Sequence, residues 1–147
     1  MLESILRADN LIMIGVVAIL LYLSSFFSGS ETALTAASKA RIHNLEKSGD
    51  KRAIIIAKLL NSRERLLGGI LLGNNLVNIL ASVLTTAIFT NILGSGGFAL
   101  MSATIVMTFL ILIFAEVLPK SYAISQPDTL ALKVAVRVNF IVKIFAP

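Results

Sequence analysis

The chain reads as an all-α integral membrane protein: three transmembrane helices, a cytoplasmic helical hairpin between the first two, and a C-terminal juxtamembrane amphipathic helix. Three observations predict it. Of 147 residues, 56% are hydrophobic and 14% charged, with a mean hydropathy of +0.89; soluble domains carry about a quarter charged residues. The apolar residues form blocks long enough to cross a bilayer. The basic residues lie mainly between those blocks, as they do when charge sets topology.

The first block, Leu11 to Phe27, is uncharged, and the uncharged run reaches Ser30. About 20 residues span a bilayer, so a span over about 11–28 is predicted. Its flank carries Glu3, Arg7 and Asp9, and no small-residue cleavage site follows, which reads as a retained helix rather than a signal peptide. The small and hydroxylated run from Ser24 to Thr32 predicts a bend or interruption at its end. From Lys39 to Arg65 the chain is polar, with eight Lys or Arg against Glu46, Asp50 and Glu64. Ser48-Gly49-Asp50 is a turn signal between helical patterns, so 39–65 is expected to be a hairpin outside the bilayer.

The second span is expected over 66–90 and the third over 98–118, joined by the uncharged turn Asn91 to Gly97. Gln126-Pro127-Asp128 marks a break before a helix over 129–147. That segment carries Lys133, Arg137 and Lys143, which fall at about 0°, 40° and −80° around a helix. An interfacial helix fits it better than a fourth span. The basic hairpin should be cytoplasmic, which puts the N-terminus outside and the C-terminus inside. The 147 residues are read as one membrane domain.

Composition also excludes. There is no Cys, hence no disulfide framework and no thiolate metal site. The one His, His43, lies in the polar segment, which argues against a His-based zinc site or a Ser-His-Asp relay. No HExxH motif and no His or Asp within the spans argues against an intramembrane enzyme, so no catalytic residue is assigned. The net charge of +5 and pI near 9.9 come without a nucleic-acid recognition motif, and topology explains them better.

Charge order then locates a candidate site. The end of the first span, the start of the second and the end of the third fall on one membrane side, and each carries polar residues there. Ser24 and Ser28 are spaced i,i+4 and share a helix face, as do Asn74 and Asn78. Glu116 closes an otherwise uncharged stretch from Leu66 to Ala115. A carboxylate at the rim of the hydrocarbon is costly unless paired, hydrated or holding a cation. Carboxylate, amide and hydroxyl oxygens are hard ligands suited to Mg²⁺ or Ca²⁺. Pro119 has no N–H, so in an α-helix it leaves the carbonyl of Ala115 unbonded, and Gly29 permits close backbone approach. The plainer readings are helix packing for the Ser, the Asn and Gly69-x-x-x-Gly73, and a Glu116–Lys120 pair.

Three stretches resemble a known family: Phe26-Phe27-Ser28-Gly29-Ser30-Glu31-Thr32-Ala33-Leu34, Gly73-Asn74-Asn75-Leu76-Val77-Asn78, and Phe114-Ala115-Glu116-Val117-Leu118-Pro119-Lys120-Ser121. In order and together they are similar to the membrane domain of CNNM/CorC magnesium transporters, over nearly the whole chain. The resemblance implies a homodimer in a bacterial inner (plasma) membrane, in contact with lipid. Each subunit would bind a dehydrated Mg²⁺ in an inward-facing cavity and export it, with Na⁺ as a possible coupling ion. By motif position Ser24, Ser28, Asn74 and Glu116 match the ion ligands, with Gly29, Asn75 and Asn78 in support. The family continues into an ATP-binding CBS pair, often followed by a CorC-type domain, and neither is in this chain. The rival expectation is a non-transporting membrane scaffold or Mg²⁺ sensor with a structural metal.

Overall fold

A spanning segment must satisfy its backbone internally, and apolar blocks free of proline do so as helices. The computed structural model describes residues 2–145, so the last two positions of the expected 129–147 helix, Ala146 and Pro147, lie outside the described residues. In chain order the helices are α1 (Leu2–Ile5), α2 (Ala8–Ala36), α3 (Lys39–Lys47), α4 (Lys51–Asn61), α5 (Arg63–Leu93), α6 (Gly97–Leu110), a π-helical segment (Ile111–Val117), α7 (Leu118–Ser125) and α8 (Pro127–Phe145). Among the described residues there is no strand. Three stretches are long and apolar enough to cross a membrane: α2, α5, and the continuous Gly97–Ser125. Ile12, Ile19, Leu71, Ile79, Val83, Met101 and Phe109 stand exposed on them, as expected of helices whose outer faces meet hydrocarbon.

The expected interruption of the first span is absent. α2 continues as regular helix through Ser28, Gly29 and Ser30 to Ala36. Neighbouring helices provide the reason. Ser24 donates its hydroxyl to α5, and a Cβ built on Gly29 would lie 3.5 Å from the Pro119 ring, in van der Waals contact. The irregularity falls in the third span instead, at Ile111–Val117.

Local chemistry sets the other boundaries. Ser38 caps α3, its hydroxyl accepting from Arg41 N at 3.3 Å, and Asp50 caps α4, accepting from Arg52 N at 2.9 Å. Gly49 takes a φ of 91° in the turn between them, a conformation other residues adopt at a cost. Asp128 in the first turn of α8 ties the hairpin to the C-terminal helix: its Oδ1 accepts from Ser38 N at 2.7 Å and its Oδ2 lies 3.4 Å from Arg41 Nη1.

Two apolar clusters hold the bundle. The larger joins the hairpin ends of α2 and α5 to α3, α4, α7 and α8 through Leu34, Ile42, Ile56, Leu66, Ile70 and Val138. The smaller packs Val17, Ala81, Ile88 and Met107 farther along the spans. α8 buries Ala131, Val134, Ala135, Val138 and Val142 and leaves Lys133, Arg137 and Lys143 exposed, so its apolar stripe lies on the bundle. At the α2–α5 contact a Cβ on Gly73 would come within 2.8 Å of the buried Phe27 ring. Gly73→Ala is therefore expected to cost about 1–3 kcal/mol as the ring is displaced. Gly68→Ala, which meets nothing within 4 Å, should not lower stability. Thermal unfolding of both variants in detergent checks the contrast.

Candidate cation site

α2 and α5 run side by side, and their polar residues meet toward the hairpin end. Ser24 is fully buried, and its hydroxyl donates to Asn74 Oδ1 at 2.8 Å. One helical turn on, Ser28 is 1% exposed and its hydroxyl has no hydrogen-bond partner. One turn beyond Asn74, the side-chain oxygen of Asn78 is likewise buried without a partner. A polar atom buried this way costs about 1–3 kcal/mol, and these two lie one turn to either side of the Ser24–Asn74 bond. Asn75 sits about 100° around the helix from Asn74 and is exposed, outside this set. Gly29 contributes by contact, bringing α2 against Pro119.

Glu116 has a different environment. Its carboxylate lies 3.0 Å from Lys120 Nζ, one turn along the helix, and its side chain is 31% exposed. This pairing is the plainer of the two roles expected for Glu116, and Lys120 supplies it with a resident counter-charge. Glu116 also lines a groove of about 500 Å³ between α5 and the third span, together with Ser82, Thr86, Thr104 and Thr108. Its ion-pair partner is therefore Lys120, and it is not hydrogen-bonded to the Ser24–Asn74 pair.

The π segment alters the backbone pairing beside Glu116. Leu118 N donates to Ile113 O, five residues back. In that register position 119 belongs to the carbonyl of Phe114, and Pro119 has no N–H to offer it. Among the described residues no three His, Cys, Asp or Glu side chains cluster as a metal site. A cation at this end of the bundle would have hydroxyl, amide and carbonyl oxygens and a single carboxylate available.

Sequence reasoning missed two polar features. The hydroxyl row beside Glu116 is visible as Ser82-x₃-Thr86 and Thr104-x₃-Thr108, each pair on one helix face; Ser82 donates to Asn78 O at 2.9 Å and Thr108 to Thr104 O at 2.7 Å. Toward the other end of the spans, Asn10 is 1% exposed, donates to Ser4 O and accepts from Asn91 Nδ2 at 3.1 Å. Asn10 beside Asp9, just ahead of an apolar run, looks in sequence like a simple helix start.

A family model, the cyclin M transmembrane N-terminal domain, matches residues 15–147. The chain belongs to the CNNM family. It is 44% identical over 109 residues to the UPF0053 inner membrane protein YfjD of Escherichia coli (strain K12), covering 74% of this chain and 25% of that protein. It is 39% identical over 132 residues to a UPF0053 protein of Haemophilus influenzae, covering 90% and 31%. A protein of the same organism named a polyamine export protein is 26% identical over 145 residues, covering 91% and 33%. The chain thus spans about a quarter to a third of the length of these relatives. All the candidate residues of this CNNM domain, Ser24 to Glu116, fall inside the matched region.

The Ser24–Asn74 bond yields a test of the site's framework. Ser24→Ala leaves the Asn74 oxygen without its donor and is expected to cost about 0.6–1.7 kcal/mol, the range for hydrogen bonds between membrane helices. Thermal unfolding in detergent, read beside the exposed Ser121→Ala, measures it.

Proposed function

We propose that this CNNM domain is the membrane part of a Mg²⁺ transporter, an exporter working by alternating access, with Na⁺ as coupling ion. The excess of Lys and Arg in the hairpin supports a cytoplasmic α3–α4 end, and with it an inward-facing cavity. One observation carries the reading: the buried Ser24–Asn74 hydrogen bond is flanked by two buried, unpartnered oxygens, that of Ser28 one turn toward the hairpin and that of Asn78 one turn away from it. Polar atoms are not left unsatisfied in a membrane helix pair without cost, and a hard cation is what repays oxygens of this kind.

Lys120 gives the mechanism its electrostatic logic. With no ion bound, the ammonium holds Glu116 and the site carries no uncompensated charge. A divalent ion entering between α2, α5 and the π segment competes for the same carboxylate and displaces Lys120. Ser24, Ser28 and Asn74 then replace water ligands, which Mg²⁺ releases reluctantly. When the ion leaves, Lys120 returns. Discontinuities in membrane helices that free backbone carbonyls at ion sites are a recurrent transporter device, and the π segment Ile111–Val117, followed by Pro119, is such a discontinuity.

The relative named a polyamine export protein makes an organic polycation the second reading. A polyamine needs acceptors spread along its length. Of the candidate oxygens, those of Ser24 and Asn74 are in direct contact, a spacing suited to a small ion.

Calorimetric titration of Mg²⁺, and separately of spermidine, into the detergent-purified domain tests these readings. Saturable Mg²⁺ binding near one ion per chain is expected. Glu116→Gln should abolish most of it, and Asn74→Ala should weaken it less. Lys120→Gln should tighten it, because a competing ammonium has gone. Normal affinity in Glu116→Gln would remove that residue from the site, and saturation by spermidine alone would transfer the site to the polyamine reading. Mg²⁺ flux in proteoliposomes separates a transporter from a scaffold that binds without moving the ion.

A further inference from the structure

We infer that the α2–α8 face carries a binding site for one anionic phospholipid, with its acyl chain between Tyr22, Phe26, Phe27, Phe140 and Ile141 and its phosphate on Arg137. A cavity of about 490 Å³ opens there, its surface almost wholly apolar, with Arg137 the one charged residue that borders it. Phe26 and Phe27 set its floor edge to face, with ring centroids 6.0 Å apart. Lys133 lies one turn before Arg137 on the same face of α8. Both are exposed, and among the described residues neither has an ion pair. No acidic side chain lines the cavity.

A second cavity, of about 390 Å³, adjoins the first through Tyr22 and Phe26, which line both. Its wall includes Ser30, which is 1% exposed and whose hydroxyl has no hydrogen-bond partner. That hydroxyl is a donor for an ester carbonyl. Tyr22 and Tyr122 border the same space, and amphipathic rings of this kind concentrate at headgroup level.

The occupant follows from the chemistry. A cationic rim over an apolar trough at the membrane surface complements a molecule with a phosphate at one end and hydrocarbon at the other. A basic pocket between helices on the headgroup side is a recognised form of anionic-lipid recognition. A zwitterionic lipid brings its own ammonium and gains less from Arg137. Free phosphate gains nothing from the aromatic trough. The site is independent of the cation reading, since none of the proposed ion ligands lines the apolar cavity.

Native mass spectrometry of the purified chain, equilibrated with equimolar phosphatidylglycerol and phosphatidylcholine, tests the site. One phosphatidylglycerol per chain should be retained preferentially. Arg137→Gln should lower that preference about fivefold and Lys133→Gln/Arg137→Gln further, at about 1 kcal/mol per basic residue. Arg137→Lys should keep it. Lys143→Gln, on a different face of α8, should leave it unchanged. Phe26→Ala should weaken retention of both lipids, and soluble glycerol 3-phosphate should not bind. Equal retention of the two lipids, an equal loss in Lys143→Gln, or glycerol 3-phosphate binding as tightly as the lipid would each overturn the proposal. Elution of each variant as the wild type in size exclusion separates loss of the site from loss of the fold.

Discussion

Hydrocarbon offers no water to a polar side chain, so every oxygen placed in the spans must find a partner within the bundle. The Ser24–Asn74 hydrogen bond is the contact on which the arrangement turns. It fixes the rotation of α2 against α5, and with it the side on which Ser28 and Asn78 are buried. Phe27 over Gly73 fixes the separation of the same two helices. Polar and apolar contacts therefore specify one geometry, and the unpartnered oxygens are held in place by a framework that does not itself need them.

The charged groups of the third span and α8 obey a second constraint: at the edge of the membrane a charge is tolerable when it is paired or solvated. Glu116 takes Lys120, and Asp128 takes Arg41 and the backbone of Ser38. Among the described residues, the basic residues of α8 have no carboxylate partner. This division leaves Glu116 and Asp128 paired within the protein and the basic residues of α8 exposed. A surface of that polarity is matched to a bilayer whose headgroups carry phosphate.

Much of this was legible in the chain. Apolar blocks of sufficient length gave the three spans, Ser48-Gly49-Asp50 gave the hairpin turn, and Gln126-Pro127 gave the break before α8. Those signals are local, arising from composition and turn chemistry. The grouping of Ser24 with Asn74 was also within reach, since charge order puts the two segments on one membrane side and i,i+4 spacing gives them faces. The continuity of α2 was not legible, because Ser, Gly and Ser are equally compatible with a break, and contact with Asn74 and Pro119 decided the matter. The Lys120 pair was legible only as one of two roles for Glu116. The buried Asn10–Asn91 contact, 81 residues apart, depends on helix pairing that no single segment encodes.

The π segment has a consequence for the numbering of the third span itself. A π-helical turn is an α-helix that has taken in one extra residue and kept the helices on either side in place. Residues after Val117 are thereby turned by about 100° relative to the face they would occupy on an unbroken helix. It is this offset that sets the Pro119 ring against Gly29 while α6 keeps Ala103 and Met107 against its neighbours. The span therefore has two halves with separate angular registers, joined at the residue that carries the charge. A gain or loss of one residue between Ile111 and Val117 would leave the apolar pattern of either half intact and uncouple the two, so the length of that segment is constrained more tightly than its composition.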